Sequence, residues 1–228
     1  MLFRKKNQNS SAQDQSEVES KKEKLQKRCD KFFEPLKEYK ELLELRTTVS
    51  KTRINRINAA TRLLSTENFL QGINIYYSCF SAIISILSLL SEDRVLSVWS
   101  AILTVILAIS IVYLNAQKYG SRSQELKNNY IELHKLLFDI GEAEARNDTS
   151  CINQLHERYY KLLQTSENHN RIDNLKRKKA DDSLTKSEKI EYYCDFIIHN
   201  LLRLLLILLP IIGTIILAFR GTLTGLLW

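Results

Sequence analysis

Glycine and proline are scarce in this chain: six and two among 228 residues. That excludes the Gly-rich phosphate-cradling loops and the nucleophile elbow, which need glycine at fixed spacing. It also removes the usual punctuation of a turn-rich β protein, and no alternation of strand period is present. The four cysteines, Cys29, Cys79, Cys151 and Cys194, are scattered without a CxxC pair or a metal-ligand spacing. Free thiols are therefore expected. His134, His156, His169 and His199 form no HxxxH or HExxH pair. The opening MLFRKKNQNSSAQDQSEVES lacks an apolar core, so no cleavable signal peptide is expected. No catalytic constellation survives these absences. The expectation is a non-enzyme that takes no cofactor and no metal.

What the chain has is long hydrophobic runs. Its averages, 26% charged and 44% apolar residues, look soluble, but the apolar residues are concentrated in three blocks. Phe69–Leu90 and Val95–Leu114 carry no formal charge, and Leu201–Phe219 carries only Arg203. A bilayer core needs about 20 helical residues, and all three blocks qualify by length. Residues 1–68 hold 16 Lys/Arg and residues 115–200 hold 14. Basic flanks stay cytoplasmic. The N-terminus and residues 115–200 should therefore be cytoplasmic, with the SEDR turn at Ser91–Arg94 and the C-terminus outside and Trp228 at the interface. The net charge of +7 follows from this topology, and the 115–200 segment balances 14 bases with 14 acids. Direct nucleic-acid binding is not expected.

The first block carries a polar stripe. Gln71, Asn74, Ser78, Ser81, Ser85 and Ser88 recur in steps of three and four and so share one helix face. Hydroxyls and amides in hydrocarbon need protein or water beside them. In the second block Ser97, Ala101, Thr104 and Ala108 follow the same alternation. Two readings stay open: a tightly packed helix seam, or the lining of an aqueous pathway once several hairpins assemble.

The whole reads as all-α: an integral membrane protein with a transmembrane hairpin, cytoplasmic coiled-coil-like helices and a third C-terminal transmembrane helix. The expected divisions are a disordered tail at 1–20, amphipathic helices at 21–68, restarting after Pro35, and the hairpin at 69–114. A cytoplasmic helical hairpin at 115–175, a charged linker at 176–200, the third span at 201–219 and an external tail at 220–228 follow. Leu36, Tyr39 and Leu43, then Ile54, Ile57, Thr61 and Leu64, mark the apolar face before the membrane. Leu126, Tyr130, Leu133, Leu137 and Ile140 mark it after, with Gly141 and NDTS ending that helix. Ile152, Leu155, Tyr159 and Leu162 share a face of the next helix. These narrow seams fit coiled-coil packing.

Three smaller features have competing readings. His169 and Asp173 sit four apart in SENHNRID and could hold a metal or an acid–base pair, or simply cap a helix. Arg203 could mark a conduction path or snorkel to the headgroups. LKRKK at 175–179 could touch anionic lipid or be solvated. Pro210, followed by Gly213 and Thr214, predicts a kink in the third span.

Three segments in order, SKTRINRINAATRLL, NAQKYGSRSQELKNNYIELHKLL and ERYYKLLQTSENHNRID, surround two spans joined by a short turn. In this arrangement they resemble the SLATT family, two-span membrane effectors of bacterial anti-phage conflict systems. The resemblance implies an oligomeric effector of the bacterial inner membrane that perturbs the bilayer when a sensor reports infection, causing abortive infection. Asn168, His169 and Asp173 match its signature and are implied to form a structural or signalling cluster. The third span resembles a subgroup found beside reverse transcriptases. The partners implied are the lipid bilayer, further copies of the chain, and a reverse transcriptase or nucleotide-signalling enzyme from the same locus. A non-conducting scaffold that recruits such an enzyme is the competing reading.

Overall fold

The computed structural model describes residues 2–91 and 94–226, with side chains described at 22–26, 28, 36–90 and 94–216. It is 91% helical, without a strand among the described residues. Among the described residues six helices follow in order: α1 Leu2–Ser91, α2 Arg94–Gln117, α3 Tyr119–Arg146, α4 Ile152–Gln164, α5 Arg171–Ala180 and α6 Lys186–Leu226. Three helical stretches, within Leu36–Leu90, Arg94–Arg146 and Lys186–Ile216, are long and apolar enough to cross a membrane. The chain is thus the all-α membrane protein that the sequence predicts. Glu92 and Asp93 of the SEDR turn, and Trp228, lie outside the described residues.

The helix boundaries differ from the sequence reading in several places. The backbone is helical from Leu2, across the segment read as a disordered tail, and α1 passes through Pro35 instead of restarting after it. α2 and α3 are separated at Lys118, whose φ of 50° is left-handed. That conformation costs a non-glycine residue about 1 kcal/mol. Gly141 lies inside α3, which ends at Arg146. Asn147 supplies the left-handed turn (φ 51°), with Asn147 N–H donating to Glu144 C=O and Asp148 N–H to Ala143 C=O. This is a Schellman cap in which asparagine replaces glycine. The linker read at 176–200 is mostly helix. Residues 176–180 finish α5, and Thr185 and Glu188 form a capping box that starts α6. Thr185 N–H donates to the Glu188 carboxylate at 3.1 Å and Glu188 N–H to Thr185 Oγ1 at 3.4 Å.

The chain divides into two compact units, Met1–Ser50 with Leu133–Leu162, and Lys51–Glu132 with Leu163–Trp228. In the first, Leu42, Leu45 and Val49 of α1, Leu133, Leu136, Ile140 and Ala143 of α3, and Ile152, Leu155 and Tyr159 of α4 are buried. Arg46–Glu144 and Asp139–Arg158 pair between helices at the rim, and Thr149 in the α3–α4 turn donates to Glu38 of α1. The buried face of α1 is rotated from the predicted one: Leu36 and Leu43 are exposed, as is Leu64 further on. Likewise Leu136 is fully buried while Leu137 is only partly so.

The second unit contains the apolar stretches. Ala59, Ala60 and Leu63 of α1 pack with Leu126 of α3, flanked by Tyr119 and Tyr130. The small alanines let α3 approach closely enough for Ser123 Oγ to donate to the Ala60 carbonyl at 2.9 Å. Deeper in the apolar region, α1 is bonded to α6 in the turn before Pro210. Proline has no N–H, so the Leu206 carbonyl four residues earlier loses its helical donor. The Tyr77 hydroxyl of α1 donates to that carbonyl at 2.8 Å, and Tyr76 to the next one, Ile207, at 3.4 Å.

Candidate functional site

The three sequence segments that carry the family resemblance meet in one junction of the second unit. Asn55, Asn58 and Arg62 follow a three–four spacing and so occupy one face of α1. Against that face lies the start of α5. Asp173 is only 2% exposed, and its carboxylate is fully engaged. Arg62 Nε and Nη2 donate to its two oxygens at 3.0 and 3.1 Å, and Asn170 N–H donates to Oδ2 at 2.9 Å, capping α5. Asn58 Nδ2 donates to the Asp173 carbonyl at 3.0 Å, and the Asn55 amide nitrogen donates to His169 Nε2 at 3.0 Å. From α3, Arg122 pairs with Glu167 at 2.8 Å and Asn129 Nδ2 donates to Thr165 Oγ1 at 3.0 Å.

This arrangement bears on the predicted roles. His169 and Asp173 are both brought to α1 but do not pair with each other. Asn168 remains exposed, its Oδ1 accepting from His169 N–H. An Asp whose oxygens are saturated by a guanidinium and a backbone N–H is a cross-brace rather than a free base. Burial, and after it the nearby Arg56, push the His169 pKa below 6.5, with Arg177 adding to the effect and Asp173 opposing it. Asn55, Asn58 and Arg62 carry much of the junction. Their common face was visible in RINRINAATR, but nothing local named the partner more than a hundred residues away.

The polar stripe splits into two halves. Its inner half pairs across the hairpin as a ladder of hydroxyls. Ser81 meets Thr104 at 3.2 Å, Ser85 meets Ser100 at 2.5 Å, and Ser88 meets Ser97 at 2.5 Å. Ser81, Ser88 and Ser100 are buried. Ser85 and Thr104 also donate to carbonyls one turn back on their own helices. The α2 side of the ladder is thus Ser97, Ser100 and Thr104, while Ala101 and Ala108 are exposed and off it.

The other half does not pair across the hairpin. Ser78 Oγ bonds the Asn74 carbonyl and Gln71 Nε2 the Glu67 carboxylate. Gln71 and Asn74 instead line a pocket of about 450 Å³ with Glu67, Asn115, Lys118 and Gly120. A Cβ at Gly120 would lie 2.3 Å from Glu67 Oε2, so a larger residue there displaces the Glu67 carboxylate, the mobile end of its side chain. Leu70, Ile75, Ile111 and Leu114 supply the apolar part of that lining.

A family model described as SMODS and SLOG-associating 2TM effector domain family 5 matches residues 37–218. The chain belongs to the SLATT family. The match runs from α1 through the junction and hairpin and includes most of the third apolar stretch. No curated protein and no solved structure matches the chain. As a SLATT protein the chain carries an effector domain named for two membrane spans, to which α6 adds a third apolar stretch.

Proposed function

We propose that this SLATT protein is an anti-phage effector of the bacterial inner membrane that oligomerises and, when triggered, permeabilises or depolarises that membrane. The supporting observation is the split stripe. A pocket lined in part by Gln71, Asn74 and Asn115 lies between the same helices as a ladder of hydroxyls bonded in pairs across the hairpin, three of them buried. Such interhelical bonds contribute about 0.6 kcal/mol each, so relative rotation of α1 and α2 exchanges them for water at modest cost. The same hydroxyls then face a lumen. In this reading the protein is not an enzyme, the 115–200 segment is cytoplasmic, and activation comes from a reverse transcriptase or nucleotide-signalling enzyme of the same locus.

The completeness of the ladder within one chain also favours a second reading, a non-conducting scaffold that recruits such an enzyme. Expression with and without the neighbouring genes, read with a potential-sensitive dye, separates the two. The effector reading expects depolarisation with the trigger, reduced at least tenfold by Ser81→Leu with Ser85→Leu in chains that still reach the membrane. A steady membrane potential under every triggering condition would leave the scaffold.

A further inference from the structure

A groove of about 570 Å³ in the second unit lies between α1, α5 and the start of the third apolar stretch. Arg203 is set into it. Its guanidinium carbon lies 4.8 Å from the centre of the Phe69 ring, one Nη reaches Ser65 Oγ only at 3.5 Å, and its buried Nε has no hydrogen-bond partner. Among the described residues no carboxylate pairs with it, and arginine does not neutralise itself by losing its proton.

Lys176 lines the same groove. Its neighbours in the basic run are engaged: Arg177 with Asp181, Lys178 with Glu188, and Lys179 over the Tyr192 and Tyr193 rings. Lys176 has no acidic partner among the described residues, and it lines the groove. Arg62 also lines it but is neutralised by Asp173. The remaining acid is Asp195, one charge against the two of Lys176 and Arg203. His199 and Asn200 also line it, and Asn200 keeps one amide N–H beyond the one it donates to the Phe196 carbonyl.

We propose that this groove binds an anionic phosphoryl group, held between Lys176 and Arg203. A guanidinium presents paired N–H donors to phosphate oxygens, and an ammonium supplies a point charge. At the margin of an apolar stretch, the sources of that chemistry are an anionic lipid headgroup and a phosphate free in solution. Binding is read directly, so the proposal does not depend on conduction.

The test uses the full chain in nanodiscs of phosphatidylglycerol or of phosphatidylcholine, with bound lipid counted by native mass spectrometry. A parallel arm in phosphatidylcholine titrates inorganic phosphate against chloride at equal ionic strength and follows the thermal midpoint. Each basic side chain near a membrane surface is worth about fivefold in binding. Lys176→Glu should therefore weaken binding at least fivefold, and Arg203→Gln should do the same. Lys161→Glu makes the same charge change outside the groove and should leave binding as it was.

Retention of phosphatidylglycerol that is sensitive to both groove substitutions assigns a lipid phosphate. Stabilisation by inorganic phosphate with the same sensitivity assigns a free one. Lys176 is exposed, so its variant folds even where Arg203→Gln does not. The proposal is overturned if neither phosphate source binds above its control. It is equally overturned if Lys161→Glu weakens binding as much as Lys176→Glu.

Discussion

Asp173 is the residue on which α5 depends, because it caps that helix and braces it to α1 with one carboxylate. Removing Arg62 leaves a carboxylate that is 2% exposed with only the Asn170 N–H to offset its charge. Breaking one side of such a pair costs about 3 kcal/mol. Arg62→Met should lower unfolding stability in detergent by that amount, whereas Arg62→Met with Asp173→Asn should recover part of it. If the double variant is no more stable than the single one, the penalty comes from lost packing. His169 adds a pH dependence of definite sign. Its folded pKa lies below the ordinary 6.5, so the folded state disfavours the charged ring. Well above 6.5 both folded and unfolded chains are neutral there and the residue contributes no slope. As pH falls through 6.5 the unfolded chain takes up the proton first, and stability declines until the folded ring is protonated too. The thermal midpoint should fall between pH 7.5 and 5.5, and His169→Gln should flatten that part of the curve.

Between helices, the bond from Tyr77 to Leu206 exists because Pro210 supplies no donor. Tyr77→Phe should cost about 0.6 kcal/mol in the native chain, as for other interhelical bonds in a membrane. In a Pro210→Ala background residue 210 again donates to Leu206, and the cost of Tyr77→Phe should fall towards zero. A double-mutant cycle on the unfolding free energy checks this, and additive effects would show that the hydroxyl does not serve that carbonyl. No local pattern shows this bond, since its partners are 129 residues apart; Pro210 signalled only a kink. The existence of the helices was legible, because uncharged runs of span length and absent glycine leave few alternatives. The faces of α1 were not. Leu42, Leu43 and Leu45 are all apolar, so two stripes one residue apart fit the same sequence, and one residue is about 100° of rotation. The stripe from Gln71 to Ser88 was legible as a face but not as two halves, for the change at Ser78 depends on what α2 presents. Ser100 and not Ala101 completes the ladder for the same reason.

For the molecule as a whole, the proposed activity requires that the hydroxyl ladder open. The ladder closes with partners in the same chain, so a covalent tie across it tests that requirement directly. Ser88 and Ser97 bring their hydroxyls to 2.5 Å, which makes them the pair to replace by cysteine for a disulfide across the ladder. In a chain whose native cysteines are replaced by serine or alanine, Ser88→Cys with Ser97→Cys should oxidise within one chain. The proposed opening then predicts that triggered depolarisation falls at least tenfold in the oxidised protein and returns on reduction, with Ser88→Cys alone unaffected. Depolarisation that survives complete cross-linking would mean that ions pass elsewhere, between neighbouring chains or through disordered lipid. The ladder would then serve only to hold the hairpin together. Because the tie leaves the pocket at Gln71 and Asn74 and the junction at Asp173 unaltered, a loss of activity on oxidation could not be assigned to a damaged trigger site. It would place the barrier between Ser81 and Ser88, where the polar face of the first span is sealed by the second.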